Sequence, residues 1–133
     1  MRDHIASFGG DPSRIVLWGQ SAGAASVDYQ TYAFLDDPIA YGVIMDSGSA
    51  SMMGGSADNT HSAFNRLASS VGCGNGATQL ACLRGKPATD ILKASEGTSP
   101  GPIGGFGPVA DNVLVFSNYQ SRANQGLVAD IVR

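Results

Sequence analysis

An α/β architecture, a mostly parallel sheet with flanking helices, is what this chain predicts. Three observations carry that prediction. Four consecutive apolar residues, Ile15 to Trp18, stand between Asp11-Pro12 and Gly19. A run of this kind, without alternation, reads as a strand buried on both faces. Val43 to Met45, inside "YGVIMDSGS", is a second such run. Between the two, "SAGAASVDYQTYAF" from Ser21 to Phe34 reads as a helix that opens on small residues and is stopped by Asp36-Asp37-Pro38. Strand, helix and strand within about 30 residues make a βαβ unit, for which a right-handed crossover is expected.

The remaining elements follow in order. "THSAFNRLASSVG" sets Phe64, Leu67, Ala68 and Val71 on one helical face and ends at Gly72. "PATDILKAS" predicts a short helix with Pro87 at its first position. Residues 96–108, "EGTSPGPIGGFGP", form a Gly/Pro-rich loop without periodicity. "VLVF" at 113–116 predicts a short strand after the Asp111-Asn112 turn, and "SNYQSRANQG" a helix capped by Ser117. "LVADIV", 127–132, reads as a strand that the end of the chain cuts off. No internal repeat and no linker divides the chain, so residues 1–133 are read as one domain, matching a prior of about 150 residues per domain.

Composition narrows the function classes. Hydrophobic residues make up 43% and charged residues 14%, with 18 glycines. Such a chain builds a core but carries little charge, and reads as a piece of a larger, buried architecture. A net charge of −3, two lysines and no basic cluster argue against nucleic acid as a partner. No apolar run reaches the roughly 20 residues of a transmembrane segment. The opening "MRDHIASFGG" lacks the apolar core of a signal peptide, and no N-x-S/T sequon occurs.

The chemistry concentrates in "LWGQSAG", residues 17–23. G-x-S-x-G after a buried strand and before a helix is the pattern of a nucleophile elbow. The serine must sit on a sharp turn that lifts its hydroxyl clear of the sheet, and Gly19 and Gly23 remove side chains that would collide there. The N-terminus of the following helix directs free N–H groups at the reacting centre. Ser21 is thus the candidate nucleophile and the Ala22 N–H a candidate oxyanion-hole donor. On the five-residue pattern alone, a structural serine in a βα turn remains open. Phosphate-loop readings fail: "GQSAGAAS" lacks the required Lys, and "GGFGPV" lacks the third glycine of a dinucleotide fingerprint.

Cys73 and Cys82 do not match a zinc framework, since no second Cys or His pair accompanies them, and no metal site is read. Free buried thiols in a reducing compartment and a disulfide both remain open at this point.

A longer comparison narrows these alternatives. "FGGDPSRIVLWGQSAGAAS" closely resembles the signature of the type-B carboxylesterase/lipase family, which includes cholinesterases and secreted fungal lipases. "VIMDSGSA", "VGCGNGATQLACLRG" and "FGPVADNVLVFS" resemble later segments of the same family, in the family's order. The resemblance implies a partial α/β-hydrolase fold around the elbow and a Ser–acid–His triad that cleaves carboxylic esters through an acyl-enzyme, without a cofactor. Ser21 matches the nucleophile and Ala22 the oxyanion donor. Gln20 stands where many members carry Glu, and Ser47 matches a serine that supports the acid, with a plain turn serine as the alternative reading. The resemblance also implies a Cys73–Cys82 bridge, and with it an oxidising compartment and a secreted, extracellular protein.

Part of the family's machinery has no match here. Its glycine-rich oxyanion segment is expected upstream of the elbow, and its acid and histidine downstream of residue 133. The chain is therefore expected to be an internal fragment, incomplete at both ends. His4 and His61 match neither the histidine's position nor the order Ser, acid, His. The carboxylates Asp46, Asp58, Asp90, Glu96, Asp111 and Asp130 lack the acid's context, and Met52-Met53 reads as packing or as acyl-pocket lining. Two other readings stand beside the ester hydrolase: a non-catalytic cholinesterase-like binding domain and an inactive truncated product. Substrate chain length and oligomeric state are not legible.

Overall fold

The computed structural model describes residues 1–53, 60–96 and 106–132. The chain resolves into two compact units, Met1–Gly55 together with Ala110–Arg133, and Ser56–Val109.

The first unit is built on a parallel pair, β1 (Val16–Gln20) and β2 (Gly42–Asp46), joined through α1 (Ala22–Ala33). Register pairs Leu17 with Val43 and Trp18 with Ile44. Because side chains alternate across a strand, Leu17 and Val43 turn to one face and Trp18 and Ile44 to the other. Helix α1 packs on both strands, and Val43 is buried. The opposite face is open: Val16 is 51% exposed, Trp18 73% and Ile44 56%. A strand buried on both faces is thus half realised, since α1 is the helix that the described residues lay on this pair.

Small residues let α1 approach closely, with Ala24 and Ala25 fully buried at its start. Further along, Tyr29 and Tyr32 join Ala50, Phe116 and Tyr119 in an aromatic core. Tyr29 stacks on Tyr119 at 5.6 Å between ring centroids, and Tyr32 meets Tyr119 edge-on at 4.9 Å. The Arg122 guanidinium lies 3.6 Å over the Phe116 ring, a cation–π contact. After β2 comes the short α2 (Ala50–Met53). Arg2 grips Asp37 through two bonds of 2.7 Å, tying the N-terminal segment to the loop that precedes β2.

Three expectations for the C-terminal part of this unit are corrected. Residues 113–116 are not a strand. The Asp111 Oδ1 accepts hydrogen bonds of 2.9 Å from the backbone N–H groups of Val113, Leu114 and Val115, which coils this apolar run around one carboxylate. Side-chain capture of this kind competes directly with a ladder. Residues 127–132 supply one parallel bridge, Val132 to Gly42, rather than a full strand. The helix over 119–124 forms, but its cap position is Asn118, and Ser117 instead bonds the Asn112 Oδ1.

The second unit is helical. Here α3 (Ser62–Ser70), α4 (Gln79–Arg84) and α5 (Ala88–Glu96) enclose Leu67, Ala68, Cys73 and Leu83. Phe64 and Val71 pack on the same cluster, as the helical face read from the sequence requires. Cys73 and Cys82 are joined by a disulfide, S–S 2.04 Å. Asp58, most of the 96–108 loop and the Met53 side chain lie outside the described residues. The C-terminal α6 (Tyr119–Asn124) belongs to the first unit.

Candidate active site

Ser21 sits between the last residue of β1 and the first of α1, with φ 54° and ψ −118°. A positive φ is uncommon for a residue with a side chain and costs on the order of 1–3 kcal/mol. Surrounding contacts hold it there. The Ser21 N–H donates to the Asp46 carbonyl at 2.8 Å, and the Ser21 carbonyl accepts from the Ala25 N–H at 3.1 Å. The end of β2 and the first turn of α1 thus fix the serine's peptide groups on either side.

Two glycines make that geometry sterically possible. A Cβ at Gly19 would fall onto the Gly23 carbonyl group and within 2.7 Å of the Ala24 nitrogen. A Cβ at Gly48 would fall onto the Ser21 carbonyl and within 3.1 Å of the Ala24 Cβ. At Gly23 a Cβ would meet nothing within 4 Å among the described residues. Gly23 is the second residue of α1. Gly48, which sequence reasoning passed over, leaves room for the Ser21 carbonyl as Gly19 does for the Gly23 carbonyl. Its only signal was its place between two serines, directly after a strand.

The other predicted residues fall around this turn. Gln20 ends β1, pairs in register with Asp46 and is exposed. Ala22 is the first residue of α1, where an N–H has no intrahelical carbonyl to bond. Ser47 also has a positive φ, 58°, and its hydroxyl donates to Asp46 Oδ1 at 2.8 Å. Asp46 therefore serves twice, holding Ser21 by its carbonyl and Ser47 by its carboxylate. Met52 is exposed. His4 precedes the 3-10 turn Ile5–Phe8 and is exposed, while His61 opens α3 in the second unit. Asp90 and Glu96 lie on α5, and Asp111 and Asp130 are exposed loop residues.

One carboxylate escaped the sequence reading. Asp28 lies on α1 and is only 6% exposed. Its Oδ2 accepts from the Ala50 N–H at 2.9 Å and its Oδ1 from the Thr31 hydroxyl at 3.2 Å. Burial pushes the phenol of neighbouring Tyr29 up from its ordinary range, with the Asp28 charge adding to the effect. In the sequence Asp28 is a lone acid in a helix, indistinguishable from a solvated one.

Chemically, the turn presents a serine hydroxyl at the head of a helix whose first N–H groups are unused by the helix itself. That arrangement suits attack on a carbonyl carbon and stabilisation of the oxyanion that results. Among the described residues there is no group of three or more His, Cys, Asp or Glu placed to hold a metal ion, and no helix long and apolar enough to cross a membrane.

Comparison with known proteins bears on this geometry. The model of the carboxylesterase family matches residues 1–130. The chlorogenic acid esterase of Aspergillus niger is 43% identical over 130 residues, which are 96% of this chain and 25% of that protein. Secreted lipase 5 of Gibberella zeae is 40% identical over 131 residues, 92% of this chain and 24% of its own length. The crystal structure of Aspergillus niger EstA superposes with a TM-score of 0.74 at 29% identity, over 98% of this chain and 27% of that one. The chain spans about a quarter of the length of the curated relatives it matches.

Proposed function

Because the chain belongs to the carboxylesterase family, with a partial α/β-hydrolase fold, we propose that it carries the nucleophile of a carboxylic ester hydrolase. The observation that carries the reading is the Ser21 backbone, held at φ 54° between β1 and α1 by Asp46, Gly19 and Gly48. Ser21 Oγ attacks the ester carbonyl, its proton passes to a histidine base, and the alcohol leaves to give an acyl-serine. Water, its proton taken by the same base, then attacks that acyl group; the acyl–Oγ bond breaks, the carboxylic acid leaves and the base returns a proton to Ser21 Oγ. The Ala22 N–H faces the oxyanion of both tetrahedral intermediates. Ser47, bonded to Asp46, braces the turn beside it and supports the acid of the triad.

His4 and His61 do not match the family's histidine in sequence order, and in this proposal the acid, the histidine and the glycine-rich half of the oxyanion hole come from other parts of the natural protein. An unassisted serine hydroxyl is a weak nucleophile at neutral pH. Carboxylic esters, including lipid esters, are the substrate class. Secretion is the localisation that the Cys73–Cys82 bridge and relatives named as secreted lipases support.

Fluorophosphonate labelling of the natural protein, followed by peptide mapping, tests this. Label is expected on Ser21 and is lost in Ser21→Ala. The 133-residue chain alone is expected to turn over p-nitrophenyl butyrate negligibly. Robust turnover by it, lost in Ser21→Ala, would mean that His4 or His61 acts as base. Absence of label from Ser21 in the natural protein would end the nucleophile assignment.

A further inference from the structure

We propose that Asp28 is a positioning residue for Ser21, acting through the segment that follows β2. This role presupposes Ser21 as the nucleophile. The elbow is closed from one side by α1 and from the other by the stretch Asp46 to Ser49. That stretch supplies the carbonyl that receives the Ser21 N–H and the Gly48 Cα that lies against the Ser21 carbonyl. Its own anchor is Ala50, the residue at which the chain turns into α2. The Ala50 N–H is buried and donates to Asp28 Oδ2 at 2.9 Å.

The geometry makes a closed circuit. Ser21 begins α1, Asp28 lies within α1, and the carboxylate of the second grips the segment that clamps the first. Asp28 is itself held by the Thr31 hydroxyl, which donates to the Asp28 carbonyl at 2.8 Å and is shared with Oδ1 at 3.2 Å, while Tyr29 beside it is pinned in the aromatic core. A rigid helix therefore sets both ends of the clamp at one spacing. Without the carboxylate, the Ala50 N–H loses its partner in a buried place, and the Asp46–Ser49 segment must move to reach another acceptor or water. A shift of that segment moves the acceptor of the Ser21 N–H with it. Displacements near 1 Å, made far from the reacting atoms, cost a catalytic group up to about 100-fold in rate.

Asn retains an oxygen that accepts from Ala50, whereas Leu has a similar volume and no acceptor. Asp28→Asn is therefore the conservative variant and Asp28→Leu the disruptive one. In the natural protein, Asp28→Leu is expected to lower kcat for p-nitrophenyl butyrate by about 10- to 100-fold per folded molecule with KM nearly unchanged, and Asp28→Asn by no more than about threefold. Hydrogen–deuterium exchange read by mass spectrometry supplies a readout that does not need activity. In Asp28→Leu, peptides over 16–25 and 46–53 are expected to exchange faster, while the helices of the second unit keep their wild-type rates. Uniform acceleration everywhere, or wild-type kcat and exchange in folded Asp28→Leu, would overturn the proposal. Should Asp28→Leu not fold, Thr31→Val, which removes one support of the carboxylate, is expected to give the same local exchange change at smaller size. Its absence there would likewise overturn it. A Ser21 that fails to label while the exchange pattern appears would count against the nucleophile assignment and leave the clamp standing.

Discussion

The turn at Ser21 and the loop at Cys73 both rely on glycine and on positive φ, in opposite ways. Around the cysteine, the glycines themselves adopt the left-handed region: Gly72 at 75°, Gly74 at 59° and Gly76 at 125°. A Cβ on any of the three would meet nothing within 4 Å among the described residues. At the elbow the positive φ falls on serines, Ser21 at 54° and Ser47 at 58°, and the glycines beside them supply space. One region uses glycine for its torsions and closes with a covalent bond. The other puts its unusual backbone torsions on two serines, one of them the proposed nucleophile, and closes by steric fit and backbone hydrogen bonds. The difference is one of purpose. A loop that must only be compact takes the residue to which left-handed torsions cost least. A site that must present a hydroxyl accepts local strain and makes the neighbourhood enforce it.

The largest effect is expected where that fit is broken. Gly19→Ala places a methyl group on the Gly23 carbonyl and should destabilise the first unit by about 3 kcal/mol or more, measured by urea denaturation of the natural protein. A loss under about 1 kcal/mol would show that the elbow relaxes freely and is not held by steric fit. Next comes the covalent closure. The Cys73→Ser, Cys82→Ser double variant should lose about 2–3 kcal/mol, from the chain entropy of a short loop. Faster amide exchange is expected over 62–84. Gly72→Ala probes torsion alone and should cost about 1–2 kcal/mol, less than Gly19→Ala despite the positive φ at Gly72. Equal costs at the two glycines would erase the distinction between space and torsion.

The smallest expected effect is local and depends on pH. Backbone N–H groups of Val115, Val113 and Leu114 hold the Asp111 carboxyl below its usual range. A carboxyl depressed in the folded state stabilises fully above its unfolded pKa, near 3.9, and loses that contribution as pH falls through the lower folded value. The loop over 111–116 should therefore loosen as pH falls from about 4. Faster exchange of the Val113 to Val115 amides in that window, with little change at the elbow, is the expected record. Asp111→Ala should reproduce it at neutral pH.

How much of this could be read beforehand depended on whether a residue's task was local. Ile15 to Trp18, the helix from Ser21 and Val43 to Met45 announced themselves, because apolar runs and a small-residue helix start are patterns of adjacent residues. The helical face of Phe64, Leu67, Ala68 and Val71 was equally plain. "VLVF" misled because its β-branched residues do favour strands, and nothing in those four letters shows that Asp111 will take their N–H groups. Gly48 and Asp28 were illegible for a related reason. Each matters through a contact with a distant segment, Ser21 for one and Ala50 for the other. The bare face of Val16, Trp18 and Ile44 was missed in the reverse sense, since the letters show that a strand wishes to be covered but not what covers it.

The hydrogen bond from the Ser21 N–H to the Asp46 carbonyl bears on the order of assembly. When Ser21 emerges from the ribosome, its acceptor is still inside the exit tunnel, and so are Gly48 and the Ala50 N–H that lies 22 positions beyond Asp28. The serine's backbone can then settle into ordinary torsions, and helix α1 can form without it. Only when β2 pairs with β1 does the turn become worth its strain, so the positive-φ conformation of Ser21 appears late and together with the sheet. A nascent chain is thereby kept from carrying a formed elbow before the structure that disciplines it exists.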